Sequence, residues 1–265
     1  MNRPSVLIFS GSDPSGGAGL QADVQAVSAL GAHPLTVITA LTVQDNDRVF
    51  NVHPMPAAMV QQQALALMGK IDIAAIKIGI VGNRANAEMI AGLIRQLRQK
   101  NGRLPVVLDP VLASGHGDAL STENAVQAIA PLVDVATIIT PNLPEAAALC
   151  AGDRRLDTQV DILLRHCEHL LIKGGHGSGP EVVNRWFSIH GDTHTWTWPR
   201  IDGSFHGTGC TLASAIAALL ATGEPVEQAI ADAQAYCHQA LLSSYAIADG
   251  QRIPNRWVSI FKDEA

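Results

Sequence analysis

Short apolar runs alternate with amphipathic segments along most of this chain. Several runs are continuously apolar, which is typical of parallel strands buried on both faces of a sheet. This alternation predicts right-handed crossovers and an α/β fold in which helices flank a doubly wound, mainly parallel sheet. The predicted strands are 5–10, 35–42, 74–78, 105–108, 135–140 and 170–172, and the helices between and after them are 20–30, 57–68, 85–99, 123–132, 145–150 and 158–167.

The later part of the chain departs from this alternation. Residues 183–189 and 194–198 are rich in β-branched and aromatic side chains and flank a His-Gly-Asp-Thr turn, which predicts a small antiparallel β-hairpin. Two helices follow, one over 211–221 and one that begins at Glu224 and Pro225. Because no linker or repeat marks a boundary in the sequence, residues 1–265 are predicted to form a single domain.

Charge and cysteine content exclude several classes of protein. The chain has 18 Lys plus Arg and 24 Asp plus Glu, a formal charge of -6, and no basic run, which argues against nucleic acid as a partner. No segment approaches the roughly 20 apolar residues that span a bilayer, so we expect no membrane partner. The four cysteines are widely spaced and form no CxxC pair, which predicts free thiols and a cytoplasmic location.

Polar motifs follow several of the predicted strands. They include the glycine-rich segment 11–23, Gln44, Asp109, the segment 140–145 and the segment 173–176. In open parallel sheets, ligands bind outside the carboxyl ends of the strands. The sequence therefore predicts one ligand site at this edge of the sheet, with the hairpin nearby.

Residues 206–221 combine a glycine turn with the start of a helix. Gly207 and Gly209 permit a sharp turn and close ligand approach, and a helix N-terminus stabilises an anion such as phosphate. Cys210 lies at this helix start, where we expect a lowered thiol pKa and a role as proton acceptor or nucleophile. The alternative is a flexible helix entry with a small buried cysteine.

The other polar residues also have two interpretations. Asn142 and Glu145 have the spacing of a helix cap and its partner, but Asp109 and Glu145 together would supply the one or two carboxylates that magnesium takes from a protein. Lys173 is either a solvated strand end or a point charge facing a phosphate. The glycines at 11–19 match neither the dinucleotide nor the P-loop pattern. We interpret three histidines as polar loop residues, namely His116, His176 and His206.

Seven motifs, in order along the chain, resemble the hydroxymethylpyrimidine and phosphomethylpyrimidine kinases of thiamine biosynthesis. They are GSDPSGGAGLQAD at 11–23, ALTVQ at 40–44, KIGIVG at 77–82, DPV at 109–111, TPNLPEA at 140–146, KGGH at 173–176 and HGTGCTLASAIAA at 206–218. The resemblance implies a single ribokinase-like kinase domain. It also implies transfer of the ATP γ-phosphate to 4-amino-5-hydroxymethyl-2-methylpyrimidine, followed by a second transfer to the resulting monophosphate.

The resemblance also implies roles for individual residues. Gly11, Asp23, Gln44 and Ile80 would hold the pyrimidine. Gly207, Thr208 and Gly209 would form an anion hole beside Cys210 as the base. Lys173 and Asn142 would lie along ATP, while Asp109 and Glu145 would hold Mg²⁺ with ATP. A homodimer is compatible with this family but does not follow from the sequence.

Two departures from the family pattern bear on function. Position 80 is Ile where the family often carries Met, and residues 248–256 stand in place of a GHGPV-like segment. The second departure bears on the second phosphorylation. The alternatives are a pyridoxal kinase of the same fold, against which the Cys at position 210 argues, and a catalytically silent pyrimidine-binding sensor, which should have lost the glycine turn or the carboxylates.

Overall fold

The structure, a computed structural model, describes residues 3–118, 120–121 and 123–258. Nine strands are present in it, β1 (Ser5–Ser12), β2 (His33–Gln44), β3 (Val49–Pro54), β4 (Ile73–Ile78), β5 (Val106–Leu108), β6 (Ile138–Ile139), β7 (His169–Ile172), β8 (Glu181–Ser188) and β9 (Thr193–Pro199). Eight helices accompany them, α1 (Gly19–Ala29), α2 (Ala57–Met68), α3 (Arg84–Lys100), α4 (Ala125–Val133), α5 (Leu143–Leu149), α6 (Leu156–Leu163), α7 (Thr208–Ala221) and α8 (Val226–Leu242).

All nine strands form one sheet in the order β3-β2-β1-β4-β5-β6-β7-β8-β9. The six strands from β2 to β7 in this order pair in parallel, whereas β3 at one edge and β8 and β9 at the other pair antiparallel. This order confirms the mainly parallel, doubly wound sheet. The single domain over 1–265 stays a prediction, and its two limits lie outside the described residues.

The hydrophobic core has two halves, one on each face of the sheet. Alternate residues of β1 show why, because Leu7 and Phe9 pack on one face while Val6 and Ile8 pack on the other. Helices α2, α3 and α4 supply apolar side chains to the first half, and α1, α7 and α8 supply them to the second. Within the described ranges, none of the helices combines the length and apolar character needed to cross a bilayer.

The structure differs from the sequence-based expectation by one additional strand and at several element ends. Strand β3 was not predicted, because none of its side chains is buried and only its antiparallel pairing with β2 makes it a strand. Strand β2 continues to Gln44, two residues beyond the predicted end. Helix α7 begins at Thr208 instead of residue 211, since Gly207 adopts a φ of 78° and its carbonyl accepts the first helical hydrogen bond, from Thr211.

The predicted hairpin is present as β8 and β9. It extends the central sheet through antiparallel pairing of β8 with β7. Its residues Val182, Asn184, Trp198 and Pro199 line a cavity at the carboxyl ends of the parallel strands. The prediction that the hairpin lies near the ligand-binding edge is therefore confirmed.

Candidate active site

A cavity of about 470 Å³ lies where the predicted polar motifs converge. Its volume is within the range of small-molecule sites. The carboxyl ends of β2 and β5, the loops after β6 and β7, and the start of α7 all contribute to its wall. Eleven of the twelve predicted site residues line it, namely Gly11, Gln44, Ile80, Asp109, Asn142, Glu145, Lys173, Gly207, Thr208, Gly209 and Cys210.

Asp23 is the exception, because it does not line the cavity. Its side chain is fully buried between α1, β4 and α7, with both carboxylate oxygens 2.8 Å from Lys77 Nζ and one of them 2.7 Å from Ser214 Oγ. A buried carboxylate needs such partners to offset its desolvation. In this structure Asp23 is half of a buried ion pair below the cavity, not a group that contacts a ligand inside it.

One end of the cavity is suited to an anion. Helix α7 points its N-terminus at the cavity, and the amides of its first turn have no carbonyl one turn back to bond with. Gly207, at the N-cap, is left-handed. Gly209 closely approaches two charged groups, since a methyl group there would lie 3.2 Å from Lys173 Nζ and 3.3 Å from Asp109 Oδ2. The helix N-terminus and these two charged side chains therefore border the same part of the cavity.

Cys210 lies in this first turn, but its thiol is buried and not exposed at a mouth. Burial raises the pKa of Cys210 to about 11, and the positive charge of Lys77 offsets only part of the rise. The expectation of a lowered thiol pKa is wrong for this structure. The physical reason is that desolvation of the thiolate outweighs the favourable field of the helix.

Lys173, Asp109 and Glu145 form a charged cluster beside α7. Lys173 Nζ lies 2.7 Å from Asp109 Oδ1, and Asp109 is only 2% exposed. Burial raises the pKa of Glu145 to about 7, with Lys173 opposing the rise and Asp109 adding to it. Burial and the neighbouring carboxylate of Asp109 therefore disfavour the ionised form of Glu145. A cation bound beside Glu145 would stabilise that ionised form.

Asn142 and Glu145 also form the predicted capping box of α5. Asn142 Oδ1 accepts a hydrogen bond of 2.9 Å from the Glu145 amide, and Glu145 Oε2 accepts one of 2.8 Å from the Asn142 amide. The cap uses one carboxylate oxygen, so the capping and magnesium interpretations are compatible. Among the described residues, no group of three or more His, Cys, Asp or Glu side chains could hold a metal ion. A cation here would take two carboxylates and complete its shell with water and phosphate, as magnesium does.

The other end of the cavity combines an apolar wall with an amide. Gly11 faces Ile80, whose Cβ would lie 3.5 Å from a Cβ at position 11. Gln44 Nε2 donates to Thr42 Oγ1 at 2.6 Å, and the Thr42 hydroxyl donates to the Ser12 carbonyl at 2.9 Å. Because the Thr42 proton is already used, its oxygen can only accept from Gln44. This pairing fixes the amide orientation and leaves Gln44 Oε1 as an acceptor that bonds to no other described residue.

A family model described as phosphomethylpyrimidine kinase matches residues 13–255. The chain belongs to the phosphomethylpyrimidine kinase family. A hydroxymethylpyrimidine/phosphomethylpyrimidine kinase of Rhizobium meliloti (strain 1021) is 40% identical over 254 residues, which cover 92% of this chain and 93% of that protein. A thiamine biosynthesis multifunctional protein of Corynebacterium efficiens is 34% identical over 255 residues, and the match covers 94% of this chain but only 34% of that protein's length.

Solved structures confirm the ribokinase-like fold of this family member. A Staphylococcus aureus pyridoxal kinase in complex with AMP-PCP and pyridoxal has a TM-score of 0.83 at 25% identity, covering 97% of this chain and 94% of that one. The phosphomethylpyrimidine kinase of Clostridium difficile 630 has a TM-score of 0.75 at 31% identity, covering 90% and 99%. The backbone is thus closer to the pyridoxal kinase and the sequence closer to the phosphomethylpyrimidine kinase. The side chains in a site, and not the fold, determine which substrate an enzyme takes.

Sequence reasoning missed two residues beside this phosphomethylpyrimidine kinase cavity. His206, interpreted as a polar loop residue, lines the cavity and places Nε2 2.8 Å from Asp13 Oδ2. Burial raises the pKa of Asp13, but the hydrogen bond and charge of His206 bring it below its ordinary value. Arg256 is fully buried and donates to the Gly17 carbonyl. Both contacts join residues about two hundred positions apart in the sequence, so no local sequence pattern predicts them.

The C-terminal segment that departs from the family pattern is part of the site. Gln251 lines the cavity, and its carbonyl accepts a 3.0 Å hydrogen bond from Asn46 Nδ2. Arg252 pairs with the segment before α7 through its amide, which donates to Ser204 O at 2.8 Å, and its carbonyl, which accepts from His206 N at 2.9 Å. The altered segment therefore contributes one residue, Gln251, to the wall of the cavity.

Proposed function

We propose that this chain transfers the γ-phosphate of ATP to the hydroxymethyl group of 4-amino-5-hydroxymethyl-2-methylpyrimidine, as a step of thiamine biosynthesis. The observation that carries the proposal is a single cavity with two unlike ends. One end has a helix N-terminus beside Lys173, Asp109 and Glu145, and the other has Gln44 beside the apolar Ile80. A phosphate donor and a small aminopyrimidine require these two environments within reach of each other.

At the pyrimidine end, Gln44 recognises the amino group. Its Oε1 accepts a hydrogen bond from the exocyclic amine, because its Nε2 is already paired with Thr42. Ile80 packs against the ring, and Gly11 keeps the ring space open because it has no side chain. Asp23 supports this end from below through its ion pair with Lys77 and does not touch the ring.

At the phosphate end, the amides of Gly207, Thr208 and Gly209 stabilise the charge that develops on the transferred group. Lys173 faces the phosphates as a point charge, with Asn142 beside it along the nucleotide. Asp109 and Glu145 hold magnesium, which when bound neutralises phosphate charge. The two carboxylates fit that task because both are buried at the cavity wall and Glu145 is costly to ionise without a cation.

Cys210 accepts the proton of the substrate hydroxyl, as a minor contributor. With a pKa of about 11, only about one thiol in 10³ is ionised at pH 8. A base this rarely available supplies only about 10²-fold of the rate enhancement, the lower end for general bases, so the amides of α7 and the Lys173 charge together supply more. This order of importance agrees with phosphoryl transfer in general, in which positioning and charge stabilisation dominate.

The monophosphate is the proposed second substrate, and pyridoxal the alternative. The closer backbone similarity to a pyridoxal kinase favours a test with pyridoxal, whereas the 40% identity to a hydroxymethylpyrimidine kinase favours the pyrimidine. The altered segment 248–256 lines the same cavity through Gln251, so it bears on whether an extra phosphate is accommodated.

A coupled ADP-release assay with three substrates tests these proposals. Hydroxymethylpyrimidine, its monophosphate and pyridoxal are compared at equal concentrations, with Lys173→Met as a control for contaminating kinases. We expect turnover with the first two and a much lower kcat/KM with pyridoxal. A preference for pyridoxal would replace the proposed substrate, and no ADP release with any of the three would favour the silent sensor.

A further inference from the structure

Arg256 is a buried cation without a carboxylate partner. Its side chain is fully buried, and no carboxylate of the described residues lies within 4.0 Å of it. Its donors go to uncharged oxygens instead. Nε donates to Thr211 Oγ1 at 2.8 Å, Nη2 to the carbonyls of Gly17 at 2.5 Å and His206 at 3.5 Å, and Nη1 to Gln25 Oε1 at 3.4 Å. Burial lowers the pKa of Arg256, and the charge of the more distant Asp23 opposes this effect. An arginine stays protonated when buried, so the charge has no carboxylate in direct contact among the described side chains.

The contacts of Arg256 join two neighbouring segments of the cavity wall. The glycine-rich loop 11–19 lines the pyrimidine end, and the turn at Gly207 begins the phosphate end. A methyl group at Gly207 would lie 2.1 Å from the Gly17 carbonyl oxygen and 2.9 Å from Arg256 Nη2, so the loop, the turn and the guanidinium are packed without space between them. The His206–Asp13 contact of 2.8 Å is a second link between the same segments.

We propose that Arg256 is a positioning residue for phosphoryl transfer. It holds the Gly207 turn against the Gly17 carbonyl, so that the first amides of α7 keep a fixed direction toward the transferred phosphate. It also places a fixed positive charge beside the first turn of α7, where that charge favours a bound phosphate. Preorganised dipoles and charges of this kind stabilise a transition state because they need no reorganisation during the reaction.

The inference rests on the proposed kinase activity, and nucleotide binding gives a readout that is independent of it. Turnover of the unmodified chain is measured first, so a failure of the proposed function appears there. Affinity for AMP-PCP is measured separately by calorimetry for every variant. An arginine that supplies charge to the phosphate end should weaken AMP-PCP binding when it is neutralised, whatever the second substrate is.

The main variants are Arg256→Gln and Arg256→Lys, with Arg95→Gln as the control for loss of an arginine charge. Arg95 is an exposed residue of α3 and does not line the cavity. For Arg256→Gln we expect kcat to fall about 10-fold or more, less than the roughly 10²–10³-fold typical of losing a donor that touches the anion itself. The KM for the pyrimidine should change less than about 3-fold. Arg256→Lys should recover part of kcat because it keeps the charge, and kcat of Arg95→Gln should stay within about 2-fold of the unmodified chain.

A milder pair of variants keeps the test decisive if Arg256→Gln does not fold. Thr211 Oγ1 accepts from Arg256 Nε and donates to the Gly207 carbonyl at 2.8 Å, so it lies between the arginine and the turn. Thr211→Val removes this link at nearly constant volume, and Thr211→Ser keeps it. We expect a lower kcat in the first and nearly normal kcat in the second. Normal kcat and normal AMP-PCP affinity in folded Arg256→Gln, or in Thr211→Val when the former is unfolded, would overturn the proposal.

Discussion

The substitution Gly209→Ala tests whether the glycine at this position is required for folding or for phosphate binding. Gly209 is in the first turn of α7 and its φ is not in the left-handed region, so the backbone accepts an L-residue. The added methyl group would lie 3.2 Å from Lys173 Nζ and 3.3 Å from Asp109 Oδ2. Lys173 is flexible and can move by a few tenths of an ångström. The movement disturbs the 2.7 Å pair with Asp109 and fills space beside the α7 amides.

The structure predicts opposite effects on stability and activity. Alanine is better than glycine within a helix by about 0.5–1 kcal/mol, which in a chain of this size is about 2–4 °C in Tm per kcal/mol. Crowding at Lys173 offsets part of this gain, so we expect a Tm equal to or slightly above that of the unmodified chain. Misplacement by about 1 Å in an active site costs about 10²-fold, so a smaller shift should lower kcat/KM for ATP by about 10-fold.

Gly92→Ala is the matched control for this experiment. Gly92 lies within α3 on the exposed side, and a methyl group there would meet nothing within 4 Å. It should show the helix gain in thermal unfolding with unchanged kinetics in the ADP-release assay. Full activity of Gly209→Ala, or a loss of activity matched by a lower Tm, would refute the reasoning that this glycine is required by the phosphate site.

Three further predictions concern the proposed substrate, metal and base. Gln44→Ala should weaken pyrimidine binding by about 1–3 kcal/mol, since the amine loses its acceptor, and isothermal titration that shows unchanged affinity would remove this role. Glu145→Gln keeps most of the capping ability and removes the charge, so its activity should fall most at limiting magnesium, and a magnesium dependence like that of the unmodified chain would leave Glu145 as a helix cap only. Cys210→Ser should lower kcat roughly 10²-fold with little change in substrate affinity. Burial raises the pKa of Cys210 to about 11, so the thiolate fraction grows with pH below that value. We therefore expect kcat of the unmodified chain to rise from pH 7 to 9, while kcat of Cys210→Ser stays constant. A constant kcat in both proteins would contradict the role of Cys210 as base.

The sequence alone predicted the fold class and eleven of the residues that line the cavity. Continuously apolar runs such as Val6 to Phe9 are stable as strands only when both faces are covered, which requires helices on each side of a parallel sheet. The carboxyl ends of parallel strands share one edge, so residues as distant in sequence as Gln44 and Lys173 had to converge. Strand β3 could not be predicted in this way. Its side chains show no alternation of buried and exposed positions that is typical of a strand, and its conformation depends on pairing with β2.

Only the tertiary structure decided the electrostatics of the site. Asp23 and Lys77 are 54 residues apart, and their pairing in the core removed Asp23 from the cavity wall. The field of a helix N-terminus can be inferred from a sequence, but the burial that raises the pKa of Cys210 depends on tertiary packing, as do its neighbouring charges Lys77, Asp23 and Asp109. Arg256 reaches the Gly17 carbonyl across 239 positions of sequence. Periodicity and motifs report what a residue does within its own helix or strand, whereas desolvation and charge pairing depend on which segments the folded chain brings together.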